Sequence, residues 1–312
     1  MRVAAIDMGT NSTRLLVAEI DAAGTGIITI DRRMRITRLG QGVDAERRLH
    51  PDAIARVVDA LTEFGAVARE HGCERVRAVT TSAARDAQNG DELLDACEAV
   101  LGVRPEIISG EEEGRLSFAG ATLGLDVRSE DVGGPYLIVD IGGGSTEFVA
   151  GTTEPEGVVS LNIGCVRLTE QYLHSDPPAP EELSQTVQVV RDYLNDVDIA
   201  VPGAARAKTL IGLAGTISTM ASVEQGLGEY DRDKIHHYRL TRSAAEEIFR
   251  TFATESHRDR AHNPGLEAGR VDVIVGGVIV AVCIMRHWGF EEMLVSESDI
   301  LDGIALNLAR EP

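Results

Sequence analysis

Period-2 alternation and short unbroken apolar runs at residues 2–7, 14–20 and 26–37 predict three β-strands, close enough in sequence to form a meander. The period then changes. Ile54, Val57, Val58, Leu61 and Phe64 recur at helical spacing and predict an amphipathic helix from about 51 to 71. A strand at 75–80, a helix around 91–101, a short strand at 106–108 and a helix from 110 to about 123 follow. Between 126 and 135 the pattern is lost, and Asp126, Glu130, Asp131, Gly133, Gly134 and Pro135 read as a linker. Beyond it the strand pattern restarts at 136–140 and 148–150, with a third stretch at 157–162 and a helix near 166–174. Pro177, Pro178 and Pro180 turn the chain into a helix from 181 to about 195. The remainder reads as a strand at 209–212, helices at 216–225 and 242–254, an apolar helix after Arg270, a strand at 293–295 and a last helix from about 301. The longest apolar run, 273–285, is shorter than a bilayer span and is bracketed by Asp272 and Arg286, so it predicts a buried core helix. Strand and helix alternate in both halves, which predicts an α/β chain of two domains, 1–125 and 126–312, with the last helix packing back on the first.

The two halves also share a motif. The first strand runs into Asp7-Met8-Gly9-Thr10-Asn11-Ser12-Thr13, and the strand after the linker runs into Asp140-Ile141-Gly142-Gly143-Gly144-Ser145-Thr146. Asp7 matches Asp140, Gly9 matches Gly142, Ser12 matches Ser145 and Thr13 matches Thr146, all at one offset of 133 residues. A short Gly/Ser/Thr turn presents backbone N–H groups with no side chain in the way, which suits a phosphate. An Asp at the strand end suits a hydrated magnesium ion or a positioned water. One such turn alone is often only a turn. Duplication with matched flanking strands is different, because an accidental turn does not repeat its neighbours. Two hairpins facing across a cleft would hold one phosphate chain from both sides.

Composition narrows the partners. A net charge of −20 argues against a protein that coats nucleic acid, and a polyanionic substrate would have to be drawn in locally. Cys73, Cys97, Cys165 and Cys283 are scattered without C-x-x-C spacing, as expected of reduced, mostly buried thiols in a cytoplasm rather than disulfides or a zinc site. Asp7 and Asn11 interrupt the apolar region a secretory signal would need, and no membrane segment is expected.

Hairpins of this form, repeated across a two-domain α/β chain, resemble the actin-like (ribonuclease H-like) ATPase superfamily. Within it, Ala5-Ile6-Asp7 with Gly9-Thr10-Asn11-Ser12, and Ile138-Val139-Asp140-Ile141-Gly142-Gly143-Gly144-Ser145-Thr146-Glu147, are similar to the exopolyphosphatase/guanosine pentaphosphate phosphohydrolase (Ppx/GppA) family. Ile108-Ser109-Gly110-Glu111-Glu112-Glu113 resembles that family's ISGxEE segment, and the resemblance extends from Val3 to Gly303. It implies two actin-like domains with duplicated hairpin phosphate loops flanking a cleft. It also implies hydrolysis of the terminal phosphoanhydride of inorganic polyphosphate, with guanosine pentaphosphate as the alternative substrate and magnesium as cofactor. Longer members carry a further helical HD-type domain, which this sequence lacks, so a preference for short polyphosphates is expected. A homodimer follows from the resemblance alone.

The same resemblance assigns roles. Glu113 is the residue taken to activate water, orienting it and accepting its proton late. On spacing alone Ser109 and Glu112 form a capping box, with Glu112 serving the cap while Glu113 points elsewhere. Gly9, Thr10, Asn11 and Ser12, with Gly142, Gly143, Gly144, Ser145 and Thr146, would supply donors for the charge that grows in phosphoryl transfer. Asp7, Asp140 and Glu147 are candidates to hold magnesium or a second water, and Glu147 is counted with Glu113 as a catalytic candidate. Glu147 replaces Arg14 of the first copy and could otherwise be a surface strand residue. Arg85 would clamp a terminal phosphate bidentately, or be an ordinary helix-surface Arg. Gly215, in a third Gly turn, would line the phosphate channel or merely start a helix, while His236, Arg239 and Arg270 read as structural or peripheral. Two other classes remain, a small-molecule kinase and a non-catalytic polyphosphate or alarmone sensor. The acidic run after Ser109 argues against the first, and Asp7, Glu113, Asp140 and Glu147 together argue against the second.

Overall fold

The computed structural model describes residues 1–21, 26–125, 129 and 131–310. The chain divides into two compact units, one formed by residues up to Leu123 together with those from Asp299 on, the other by Gly124–Ser298. Of the linker expected at 126–135, residues 126–128 and 130 lie outside the described residues.

The chain runs through β1 (Arg2–Met8), β2 (Ser12–Ile20), β3 (Ile27–Ile36), α1 (Val43–Glu46), α2 (Pro51–Glu70), β4 (Arg75–Thr80), α3 (Ser82–Asp86), α4 (Gly90–Leu101), β5 (Glu106–Ile107) and α5 (Gly110–Ala121). It continues as β6 (Tyr136–Ile141), β7 (Thr146–Gly151), β8 (Pro155–Leu161), α6 (Cys165–Tyr172), α7 (Pro180–Ala200), β9 (Thr209–Leu213), α8 (Ala214–Glu224), α9 (Arg232–Ile235), β10 (Arg239–Thr241), α10 (Arg242–Thr254), α11 (His257–Arg260), α12 (Ile274–Trp288) and β11 (Glu292–Val295). The last helix, α13 (Ile300–Arg310), returns to the first unit and packs on α5, β1 and β2.

The first sheet has the order β3-β2-β1-β4-β5 and the second β10-β11-β9-β6-β7-β8. In each, an antiparallel three-stranded meander (β1-β2-β3 or β6-β7-β8) is extended by a parallel strand, β4 beside β1 and β9 beside β6. The repeat seen in the sequence is therefore a repeat of topology. α12 is buried all round from Ile274 to Met285, as its apolar run predicts. No helix of the described residues is long and apolar enough to cross a membrane. The short helices α1, α3, α9 and α11 and the strand β10 were not legible, because one turn or three residues carry no period.

Local chemistry fixes the helix starts. Ser109 Oγ accepts the Glu112 N–H at 3.1 Å and begins α5. The Glu182 carboxylate accepts the Ala179 N–H at 2.9 Å and begins α7. α5 and α13 meet through two glycines. A Cβ on Gly120 would lie 1.9 Å from the Asp299 carbonyl oxygen, and one on Gly303 would lie 2.0 Å from that of Leu116. Helix propensity alone would make Gly303→Ala stabilising by about 1 kcal/mol. Because the obstacle is backbone, the opposite is expected: a loss of about 3 kcal/mol by overpacking, read as a lower urea midpoint at unchanged m.

Candidate active site

In the first unit, β1 ends in Asp7 and the chain turns through Gly9, whose N–H donates to the Ser12 carbonyl at 3.0 Å. The next two carbonyls are held from behind. Gly40 N–H donates to Thr10 O at 2.8 Å, and the N–H groups of Thr37 and Arg38 donate to Asn11 O at 3.1 and 2.9 Å. In a trans peptide the C=O and N–H point opposite ways, so the N–H groups of Asn11 and Ser12 face away from these anchors. Thr10 is pinned by a 2.9 Å hydroxyl contact with Ser82. The Asn11 Nδ2 donor is buried and has no partner among the described residues.

Asp7 stands opposite Arg14 in the β1–β2 register. Arg14 Nε and Nη2 both donate to Asp7 Oδ2, at 3.1 and 2.7 Å, while Asp7 Oδ1 is buried and has no hydrogen-bond partner among the described residues. Arg14 Nη1 donates to Asp299, and Arg32 Nη2 bridges Asp299 at 2.8 Å and Asp302 at 3.1 Å. Three carboxylates thus face two guanidiniums. Burial raises Asp7 above the ordinary carboxylate range against the pull of Arg14, and burial likewise raises Asp302 against Arg32. Burial pushes Asp299 up too, but Arg14 and Arg32 together outweigh it and leave it below its usual value.

The acidic run splits as expected in direction. Glu113 Oε2 accepts from Arg85 Nη1 at 3.1 Å, and the same nitrogen donates to Ile108 O at 2.8 Å. Its side chain is 12% exposed, against 44% for Glu112. The Glu112 carboxylate does not complete a capping box. It pairs with Arg77 at 2.8 Å, and that arginine also holds Glu106, so only the Ser109 half of the box forms. Arg85 is not an ordinary surface arginine, because it carries Glu113.

In the second unit, Gly142 N–H donates to Ser145 O at 3.0 Å, closing the same turn as Gly9. Here the N-terminus of α6 does the anchoring. Cys165 N–H donates to Gly142 O at 3.0 Å, and Val166 and Arg167 N–H donate to Gly143 O at 2.9 and 3.1 Å. Arg167 Nε holds Gly144 O at 2.8 Å. By the same peptide geometry the N–H groups of Gly143, Gly144 and Ser145 all face away from α6, which makes a concave donor set of the kind that binds anions. Thr146 Oγ1 donates to the Ile163 carbonyl and fixes the end of the turn.

Asp140 stands opposite Glu147 in the β6–β7 register, where the first unit has Asp7 opposite Arg14. Glu147 is not a surface strand residue: it is 1% exposed and accepts from Ser160 Oγ at 2.7 Å. Gly215 starts α8 beneath Arg270, whose guanidinium lies 2.0 Å from where a Cβ would be. Arg270 is itself buried and held by Glu267 at 3.0 Å, which is a structural placement.

The Ppx/GppA phosphatase family profile matches residues 16–311. The chain belongs to this family. It is 44% identical to exopolyphosphatase 2 of Mycobacterium tuberculosis over 99% of this chain and 98% of that protein. It is 31% identical to a bifunctional 3-dehydroquinate synthase/phosphatase of Fusobacterium nucleatum, over 97% of this chain and 46% of that one. Among solved structures it matches an exopolyphosphatase-like protein with a TM-score of 0.94 at 38% identity, covering 99% of both chains. The Aquifex aeolicus PPX-GPPA enzyme matches with a TM-score of 0.81 at 33% identity, over 98% of this chain and 99% of that chain. The two meander-based units are the two actin-like domains of Ppx/GppA proteins.

Within this Ppx/GppA chain, the donor chemistry fits magnesium. Mg2+ takes one or two carboxylates and keeps several waters. Asp7 offers one buried oxygen with no hydrogen-bond partner among the described residues, and Asp140 and Glu147 stand directly opposite each other in the β6–β7 register, two carboxylates of the kind that ligate this ion. Among the described residues no group of three or more His, Cys, Asp or Glu forms a ready-made cage. The residues that sequence reasoning missed are the ones behind these groups: Gly164, Arg167, Ser160, Arg32 and Asp299. Only Gly164, immediately before a helix start, left a local signal.

Proposed function

We propose that this chain is an exopolyphosphatase that hydrolyses the terminal phosphoanhydride of inorganic polyphosphate with magnesium. The observation that carries the reading is the pair of Gly turns whose carbonyls are held from behind, so that consecutive N–H groups face outward. Full-length similarity to exopolyphosphatase 2 supports it.

The chemistry asked of the protein is positioning and charge stabilisation. Glu113, fixed by Arg85, orients a water. As that water's oxygen bonds to the terminal phosphorus, the bridging P–O bond breaks. The water's proton passes to Glu113 and then to solvent, leaving orthophosphate and a chain one unit shorter. The Asn11 and Ser12 N–H groups and the Asn11 amide donate to phosphate oxygens, and the second unit's loop offers the same kind of donor set. Bound magnesium would supply positive charge against those oxygens, with Asp7 as its candidate ligand in the first unit and Asp140 and Glu147 as the candidates in the second.

The test is phosphate release with magnesium, run in parallel on short polyphosphate, long polyphosphate and guanosine pentaphosphate. Release from polyphosphate, faster per protein on short chains, is the expected result. Release from the nucleotide alone would replace polyphosphate with guanosine pentaphosphate, and release from none of the three would reject hydrolysis.

A further inference from the structure

Arg14 serves two carboxylates at once. A guanidinium facing one carboxylate prefers the bidentate fork, with one N–H on each oxygen. Here Nε and Nη2 converge on a single oxygen, Asp7 Oδ2, at 3.1 and 2.7 Å, while Nη1 reaches Asp299 Oδ2. Asp7 Oδ1 is left buried with no hydrogen-bond partner among the described residues.

Asp299 lies 285 residues beyond Arg14 and is itself firmly held. Its Oδ1 accepts the Leu301 N–H at 3.0 Å at the start of α13 and Arg32 Nη2 at 2.8 Å. Its own N–H donates to Asp302 Oδ2 at 3.0 Å, and Asp302 also takes Arg32 at 3.1 Å. Asp299 is therefore a fixed anchor, and its hold on Nη1 sets how the guanidinium meets Asp7.

We infer that Asp299 is a positioning residue for Asp7: by holding Arg14 Nη1 it confines Arg14 to Asp7 Oδ2 and keeps Oδ1 open for a hydrated divalent cation. The inference rests on the metal-assisted reading above. Without the Asp299 charge, Arg14 swings into the ordinary fork and covers both oxygens of Asp7. Partners behind a metal ligand typically set affinity by 10–100-fold, and about tenfold is expected here.

The experiment measures Mn2+ binding to the substrate-free protein by electron paramagnetic resonance, beside the Mg2+ requirement of phosphate release. Asp299→Asn keeps the shape and the acceptor for Leu301 N–H but removes the charge that draws Arg14. It should weaken Mn2+ binding about tenfold and raise the Mg2+ requirement by the same factor. Asp302→Asn removes a carboxylate from the same cluster, keeps an acceptor for the Asp299 N–H and touches Arg32 rather than Arg14, so Mn2+ affinity should stay within about twofold. Asp299→Glu restores the charge and should recover most of the affinity, which keeps the comparison open if Asp299→Asn folds poorly.

Equal weakening by Asp299→Asn and Asp302→Asn would overturn the inference in favour of long-range charge, as would unchanged Mn2+ affinity in Asp299→Asn. Wild-type protein that binds no Mn2+ would overturn both the inference and the metal-assisted reading. The expected Mn2+ shifts with no release from polyphosphate would overturn the substrate reading alone and leave the inference standing.

Discussion

Glu113→Gln is expected to lower phosphate release from polyphosphate by about 10³-fold in kcat, with KM changed by less than about threefold. The amide has the size of the carboxylate and still accepts from Arg85 Nη1, so the 3.1 Å contact and the start of α5 survive. What is lost is the ability to take a proton from the attacking water. A group that acts only as water is attacking contributes to the transition state more than to binding, so the effect falls on kcat. Glu112→Gln is the matched control one residue away. It loses a charge-assisted contact with Arg77 and should leave turnover within about twofold, because that carboxylate faces Arg77 and Glu106 rather than Arg85. Equal losses in the two variants, or a loss under about fivefold in Glu113→Gln, would move the water-orienting role elsewhere.

The contrast between these neighbours was legible in the sequence only in outline. A capping motif followed by one more Glu says that the two side chains leave the helix in different directions. It does not say that Arg77 rather than the Ser109 N–H receives the first, or that Arg85 receives the second, since both arginines come from elements earlier in the chain. The hairpins were legible for the opposite reason. Strand, turn and strand are contiguous, so Asp7 opposite Arg14 and Asp140 opposite Glu147 follow from turn length alone. Burial of Glu147 was harder to foresee. The alternation argument assumes one wet face, and β7 is buried at every position from Thr146 to Gly151. Asp299 lay furthest from reach, because nothing local marks a residue near the C-terminus as the partner of an arginine in the second strand.

Gly164→Ala should reduce kcat/KM for polyphosphate by about 10²-fold while leaving the protein folded. A Cβ at this position would sit 2.3 Å from the Gly143 carbonyl carbon and oxygen and 2.5 Å from the Gly144 nitrogen. Every one of these atoms is backbone, so no side chain can swing aside to make room. Either the loop or the start of α6 has to move. Both movements break the same contacts, those from Cys165, Val166 and Arg167 N–H to the carbonyls of Gly142 and Gly143. Those contacts aim the Gly143, Gly144 and Ser145 N–H groups, and removing one preorganised donor of this kind costs about 10²–10³-fold in acyl transfer. Some stability is lost as well, roughly 1–3 kcal/mol from overpacking. Stability loss alone is separated out by Gly265→Ala, which has a comparable backbone clash, 2.5 Å from the Ser222 carbonyl carbon near the end of α8, and a φ of +84° that an Ala side chain strains. Assayed well below both melting temperatures, Gly265→Ala should keep kcat/KM within about threefold while Gly164→Ala does not. If the two fall together, the activity loss reflects unfolding, and the held carbonyls are not what orients the loop.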